Sequence, residues 1–137
     1  MSLDNRLARF AEEGNTKLVL DYINDTIKII ENDPNKDTFI QENYNIALIW
    51  ASSNNRLETI QALIHHGADI NIYGSRKHLP LCEAVRSGKI DTVKLLLNNG
   101  ADPNLKDCRN KNAFEHAKHK KYKKIELLIT ESIQKMK

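Results

Sequence analysis

The phrase Leu63-Ile64-His65-His66-Gly67-Ala68-Asp69-Ile70-Asn71 returns as Leu96-Leu97-Asn98-Asn99-Gly100-Ala101-Asp102-Pro103-Asn104, with Gly67 and Gly100 33 residues apart. A fixed period of that size signals a solenoid, in which each supersecondary unit buries its apolar face only against its neighbours. Locally the phrase reads as a helix end. Two apolar residues close the helix and Gly67 or Gly100 supplies a left-handed C-terminal cap. The short side chains of Asp69, Asn71, Asp102 and Asn104 suit the turn because they hydrogen-bond nearby backbone groups. The phrase therefore belongs to the scaffold, and positions that do not repeat are the better candidates for function.

The rest of the chain divides around it. Leu7, Phe10 and Ala11 share a helical face that ends at Gly14-Asn15. Val19, Tyr22, Ile23, Ile27 and Ile30 continue the helical series and predict a second helix from Thr16 to about Glu31, followed by a turn-forming stretch from Asn32 to Asp37. A second unit starts near Phe39. Ile46, Leu48, Ile49 and Ala51 mark its inner helix, Ser53-Asn54-Asn55 its turn, and Leu57, Ile60, Leu63 and Ile64 its outer stripe. The third unit repeats this in register, with Pro80 in a first helical turn, a turn at Ser87-Gly88, and a stripe of Ile90, Val93, Leu96 and Leu97. In the fourth, Asp107-Cys108-Arg109-Asn110 forms a turn-like tip before Ala113, Phe114 and Ala117. Its stripe of Tyr122, Ile125, Leu128 and Ile129 fits the third unit only with one residue missing, which predicts a shortened last turn. Gly14 and Gly88 are 74 residues apart, 8 more than two periods, so the first unit and the 32–38 loop carry extra length.

From Leu79-Pro80-Leu81-Cys82-Glu83-Ala84 through Gly88 and Val93–Leu97 to Gly100-Ala101-Asp102-Pro103-Asn104, the third unit closely resembles an ankyrin repeat. The second resembles one nearly as well, the fourth matches over Asp107 to Ala117, and the first looks like an N-terminal capping repeat. The resemblance covers nearly the whole chain. It implies an all-α ankyrin-repeat solenoid of stacked helix-turn-helix units with short hairpin-like loops. The implied organisation is one domain over residues 1–137, with an N-terminal cap at about 1–38, units at 39–71 and 72–104, and a C-terminal cap at 105–137. The family's Thr-Pro-Leu-His motif reads Ile46-Ala47-Leu48-Ile49, Leu79-Pro80-Leu81-Cys82 and Asn112-Ala113-Phe114-Glu115 here. Ile46 and Leu79 replace a capping Thr, forgoing about 1 kcal/mol of capping. The Gly of the hairpin tip is replaced by Tyr44, Lys77 and Asn110, of which only Asn110 takes positive φ easily, so imperfect hairpins are expected in the second and third units.

By the family's pattern, hairpin tips and inner helices form a concave groove that holds protein partners. Glu83 corresponds to Trp50 in the second unit, His116 in the fourth and Arg9 in the first, a position expected to be exposed. Tyr44, Arg76, Lys77, Arg109 and Lys111 are expected at the fingertips. Trp50 is the only tryptophan, and Trp, Tyr and Arg are the residues most enriched at interface hot spots. The expectation is a non-enzymatic protein-binding module. Trp50 anchors the partner, Arg86 and the fingertip cations hold an acidic segment, and Tyr44, Arg76, Glu83, Arg109, Lys111 and His116 complete the site. The competing reading of Trp50 packs it against the 32–40 segment.

Charge supplies the alternative function. Residues 1–70 carry 6 Lys and Arg against 11 Asp and Glu, whereas residues 71–137 carry 15 against 7. Lys118, Lys120, Lys121, Lys123 and Lys124 crowd one stretch, so binding of nucleic acid or anionic lipid through the basic half is the second reading. A terminal repeat needs a polar outer face in any case, which makes nucleic acid the less favoured partner. No phosphate-cradling loop or nucleophile elbow occurs, and neither enzyme activity nor a cofactor is expected. His116 and His119 fall three apart with Cys82 or Cys108 as a conceivable third metal ligand, but two solvated histidines are the simpler reading, and no metal is expected. The two cysteines lack a Cys-x-x-Cys spacing and read as free thiols. With no apolar run near the roughly 20 residues needed to span a bilayer and no cationic-apolar leader, the expectation is a monomer, cytoplasmic where synthesised. Specialised secretion routes would leave no such mark.

Overall fold

A computed structural model describes residues 5–71 and 77–136. Every regular element among them is a helix: α1 (Arg6–Glu13), α2 (Thr16–Ile29), α3 (Lys36–Ser53), α4 (Leu57–His65), α5 (Pro80–Arg86), α6 (Ile90–Asn98), α7 (Ala113–Lys120) and α8 (Lys123–Lys135). They stack in two rows. The inner row runs α1, α3, α5, α7 and the outer row α2, α4, α6, α8, each helix packing on the next in its row. The core is shared between neighbours: Leu48, Ala51, Ala84 and Ala117 of the inner row and Ile60, Leu63, Val93, Leu96, Ile125 and Ile129 of the outer row are buried. None of these helices is long and apolar enough to cross a membrane.

One device ends all four inner helices. Gly14, Asn55, Gly88 and Lys121 adopt positive φ, and the following N–H turns back to the carbonyl of Phe10, Ala51, Ala84 or Ala117 at 2.9–3.0 Å. This satisfies carbonyls that the helix end leaves open. Gly67 and Gly100 end α4 and α6 at φ 101° and 90°. Ala68 and Ala101 then donate back to Leu63 and Leu96, as the repeated phrase predicts. Asn71, Asn104 and also Asn35 donate through their backbone to Asp69, Asp102 and Asp33, so the turns after the first three outer helices share this bond, although α2 ends at Ile30 without a left-handed residue.

Two expectations need correction. Lys121 lies 33 residues after Gly88 in the same conformation, so the last turn is not shortened. Instead the buried positions of α8 are Ile125 and Ile129, and Glu126 stands where Val93 stands in α6. The second correction concerns α3. Its 18 residues continue back through the expected second hairpin, because residues 35–53 contain neither Gly nor Pro and Asp37 favours the first turn electrostatically.

Side-chain amides tie the stack together. Asn71 donates to the Gly100 carbonyl (2.9 Å) and accepts from the Asp102 N–H (2.8 Å). One unit earlier Gln41, on the extended α3, makes the same pair with Gly67 (3.3 Å) and Asp69 (3.2 Å). A longer side chain on a helix thus replaces a shorter one on a loop. Cys108 N–H donates to the Lys77 carbonyl at 2.9 Å, joining the loop before α7 to the segment before α5. Lys77 holds φ 55°, a conformation unfavourable for lysine, and the rest of the expected third-unit hairpin lies outside the described residues.

Candidate partner-binding site

Trp50, Glu83 and His116 recur at 33-residue intervals on α3, α5 and α7. Their exposure falls along the row, from 42% at Trp50 to 9% at Glu83 and 4% at His116. The sequence treats this as an exposed position in all four units, and that holds for Arg9 and Trp50 but not for Glu83 and His116. Glu83 and His116 are covered because the loop before α7 folds over them. Arg109 reaches from that loop to Glu83 Oε1 (3.2 Å), and Asp107 to His116 Nε2 (2.8 Å).

The result is one connected polar cluster. Glu83 Oε2 accepts from Arg86 Nη1 at 3.1 Å, His78 Nδ1 lies 3.4 Å from Glu83 Oε1, and Arg109 Nη1 also approaches Asp107 Oδ2 at 3.4 Å. Asp107 shapes its own loop, accepting from the Arg109 N–H through its side chain (3.0 Å) and donating its N–H to the Lys111 carbonyl (3.1 Å). Burial pushes the Asp107 carboxyl up, but the Arg109 N–H and the His116 ring outweigh it and hold the group below its usual range. Burial likewise opposes the Arg109 charge, and the facing carboxylates, Glu83 foremost, more than restore it. Cys82, fully buried beneath the loop, has its thiol pushed far up by burial, so it is a poor nucleophile.

Four of the proposed site residues thus meet in one network: Glu83 joins Arg86 to Arg109, and Asp107 joins Arg109 to His116. Lys111 is half-buried and contributes its carbonyl, which the Cys82 thiol approaches at 3.9 Å. Arg76 lies outside the described residues. Tyr44 is not a fingertip residue. Only 6% exposed within α3, it donates its hydroxyl to the His66 carbonyl at 3.0 Å, because the helix that replaces the hairpin turns it into the core. Asp107 and His78 went unrecognised in the sequence. An acid nine residues before a histidine matches no helix or strand period, so pattern alone does not pair Asp107 with His116. The one available signal was the 33-residue equivalence of Glu83 and His116 beneath a charged tip.

The cluster leaves binding capacity at the surface. Glu83 and Asp107 are satisfied within it, and the bonds of both arginines run through Nη1. Each guanidinium carries five N–H donors, so further donors are available for a carboxylate. Leading out from Trp50, the row therefore offers a large aromatic surface followed by two fixed cations. Farther along, Lys118, Lys120, Lys121, Lys123 and Lys124 are exposed around the α7–α8 turn.

Among known proteins, a family model described as ankyrin repeats (3 copies) matches residues 7–107. No curated protein matches the chain. The family match ends at Asp107, so α7 and α8 lie beyond it. Their membership in the stack rests on the 33-residue register of Gly88 with Lys121 and on the packing of α7 on α5 and α8 on α6.

Proposed function

Because the chain belongs to the ankyrin-repeat family, whose repeats generally serve as protein–protein interaction modules, we propose that it captures a protein partner through the inner row without catalysing a reaction. The contact begins at Trp50 and continues over Arg86 and Arg109. The partner presents an apolar side chain to the indole and an acidic segment to the two guanidinium groups. The observation that carries this reading is the exposure of Trp50 at a register position that loops cover in the next two units. Leaving an indole in water forgoes favourable burial, and Trp and Arg dominate interface energetics. The buried Glu83 carboxylate holds the arginines in place. A lone arginine would lose side-chain freedom on binding, whereas these are already ordered.

Capture by the immobilised full chain from the cells that produce it tests the proposal, with wild type and Arg86→Glu compared across a salt series. The expected result is a discrete protein retained by wild type up to about 200 mM salt and reduced roughly tenfold by Arg86→Glu, equivalent to about 1.4 kcal/mol. Retention of nucleic acid or anionic lipid with a steep salt dependence, indifferent to Arg86, would instead assign function to the lysines at the α7–α8 turn.

A further inference from the structure

Cys82, Asp107 and His116 present a thiol sulfur, a carboxylate oxygen and an imidazole nitrogen that all lie within 4.8 Å of one another, and all three residues are buried. They come from successive units: Cys82 from α5, Asp107 from the following loop, His116 from α7. The geometry points to a binding site for one divalent transition-metal ion, Zn2+ by its donor set, which fastens the last helix pair to the one before it.

The chemistry of the donors supports this. Sulfur and imidazole nitrogen are the ligands zinc prefers, and carboxylate oxygen is its third common protein donor. A thiolate with a carboxylate carries two negative charges, matching a dication in a site where unbalanced charge is costly. Zn–N and Zn–O bonds of about 2.0–2.2 Å and Zn–S of about 2.3 Å place tetrahedral ligand atoms roughly 3.3–3.7 Å apart. His116 Nε2 and Asp107 Oδ2, now 2.8 Å apart, need to part by only about half an ångström. The ion then takes the place of the hydrogen bond between them.

Binding follows a balanced path. The Cys82 S–H bond breaks and its proton leaves to solvent while sulfur bonds the metal. Neutral His116 binds through Nε2 with its ring proton on Nδ1, Asp107 binds through a carboxylate oxygen, and a water fills the fourth position. Arg109, now 3.4 Å from Asp107 Oδ2, remains paired to Glu83 at 3.2 Å. His119 is exposed and takes no part, which changes the ligand set suggested by histidine spacing alone. The metal site stands or falls independently of partner capture.

Chelator-treated full chain titrated with Co2+, then challenged with Zn2+, tests the site. The expected result is one Co2+ per chain, a near-ultraviolet thiolate-to-cobalt charge-transfer band, release of one thiol proton, and displacement by Zn2+. The chain has two cysteines. Retention of the band in Cys108→Ser therefore assigns it to Cys82 without disturbing the core. His116→Gln is expected to weaken binding more than about 100-fold, beyond the loss typical of a residue that only orients a ligand. Absence of stoichiometric binding to wild type would overturn the proposal, as would loss of the band in Cys108→Ser or its survival in Cys82→Ser.

Discussion

His116 Nε2 lies 2.8 Å from Asp107 Oδ2 with both side chains out of solvent, joining the loop before α7 to the helix it precedes. Asparagine at position 107 keeps the shape but removes the charge, leaving the imidazole with a weaker partner. Asp107→Asn is expected to cost about 2–3 kcal/mol at neutral pH, the range for hydrogen bonds to charged groups, read from urea midpoints. Asp107 titrates below its ordinary value in the folded chain. Its stabilisation is therefore complete above about pH 4 and disappears as pH falls through the lower folded value. The variant should lose this part of the acid-induced decline while wild type retains it.

Asn71 and Gln41 make equivalent pairs of bonds across neighbouring units, at 2.8–2.9 Å and 3.2–3.3 Å respectively. Shorter bonds imply a larger contribution. Asn71→Ala is expected to cost about 1–2 kcal/mol and Gln41→Ala less than about 1 kcal/mol, with equilibrium unfolding as the measurement.

Lys77 and Lys121 hold φ at 55° and 62°, where glycine suits the backbone better. Left-handed geometry costs a side-chain-bearing residue about 1–2 kcal/mol, and glycine returns about 0.5–1 kcal/mol of that through the unfolded chain. Lys77→Gly and Lys121→Gly are each expected to stabilise by about 0.5 kcal/mol. Asn110→Gly, at φ 58°, should change little because Asn tolerates the conformation. Thermal melts of the three variants separate the cases.

Tyr44 serves the core through its hydroxyl bond to His66 O. Tyr44→Phe is expected to lower stability by about 1 kcal/mol and leave partner capture unchanged, so a capture assay run beside chemical unfolding checks both halves.

The stack was legible in the sequence because its periodic parts are chemically demanding. Gly67 and Gly100 fill left-handed caps, and Ile60, Leu63, Val93 and Leu96 fill a core that permits few substitutes. The irregular parts hid where a tolerant backbone accepts an unexpected residue. Lys121 takes the place of a capping glycine, so the fourth unit looked one residue short although its backbone keeps the period. The extended α3 departs from the family motif at Ile46–Ile49, and its physical basis is the absence of any helix breaker from 35 to 53. Of the 8 extra residues in the first period, 5 lie in α2, which has 14 residues against 9 in α4 and α6. Asp33-Pro34-Asn35, a twin of Asp102-Pro103-Asn104, marks where that longer helix rejoins the pattern. The polar cluster was half legible. Its residues stand out one by one, but the Arg109 and Asp107 contacts that unite them depend on a loop folding back, which no period encodes.

The most direct test of the partner-binding surface measures capture and thermal stability together for Trp50→Ala. Trp50 is 42% exposed and stands outside the buried core, so truncation removes contact area for a partner without opening a core cavity. The account predicts at least a roughly thirtyfold loss of capture, the about 2 kcal/mol of an interface hot spot, with a melting temperature within about 3 °C of wild type. Intact capture with a melting temperature lowered by about 10 °C or more would contradict it, assigning the indole to the fold.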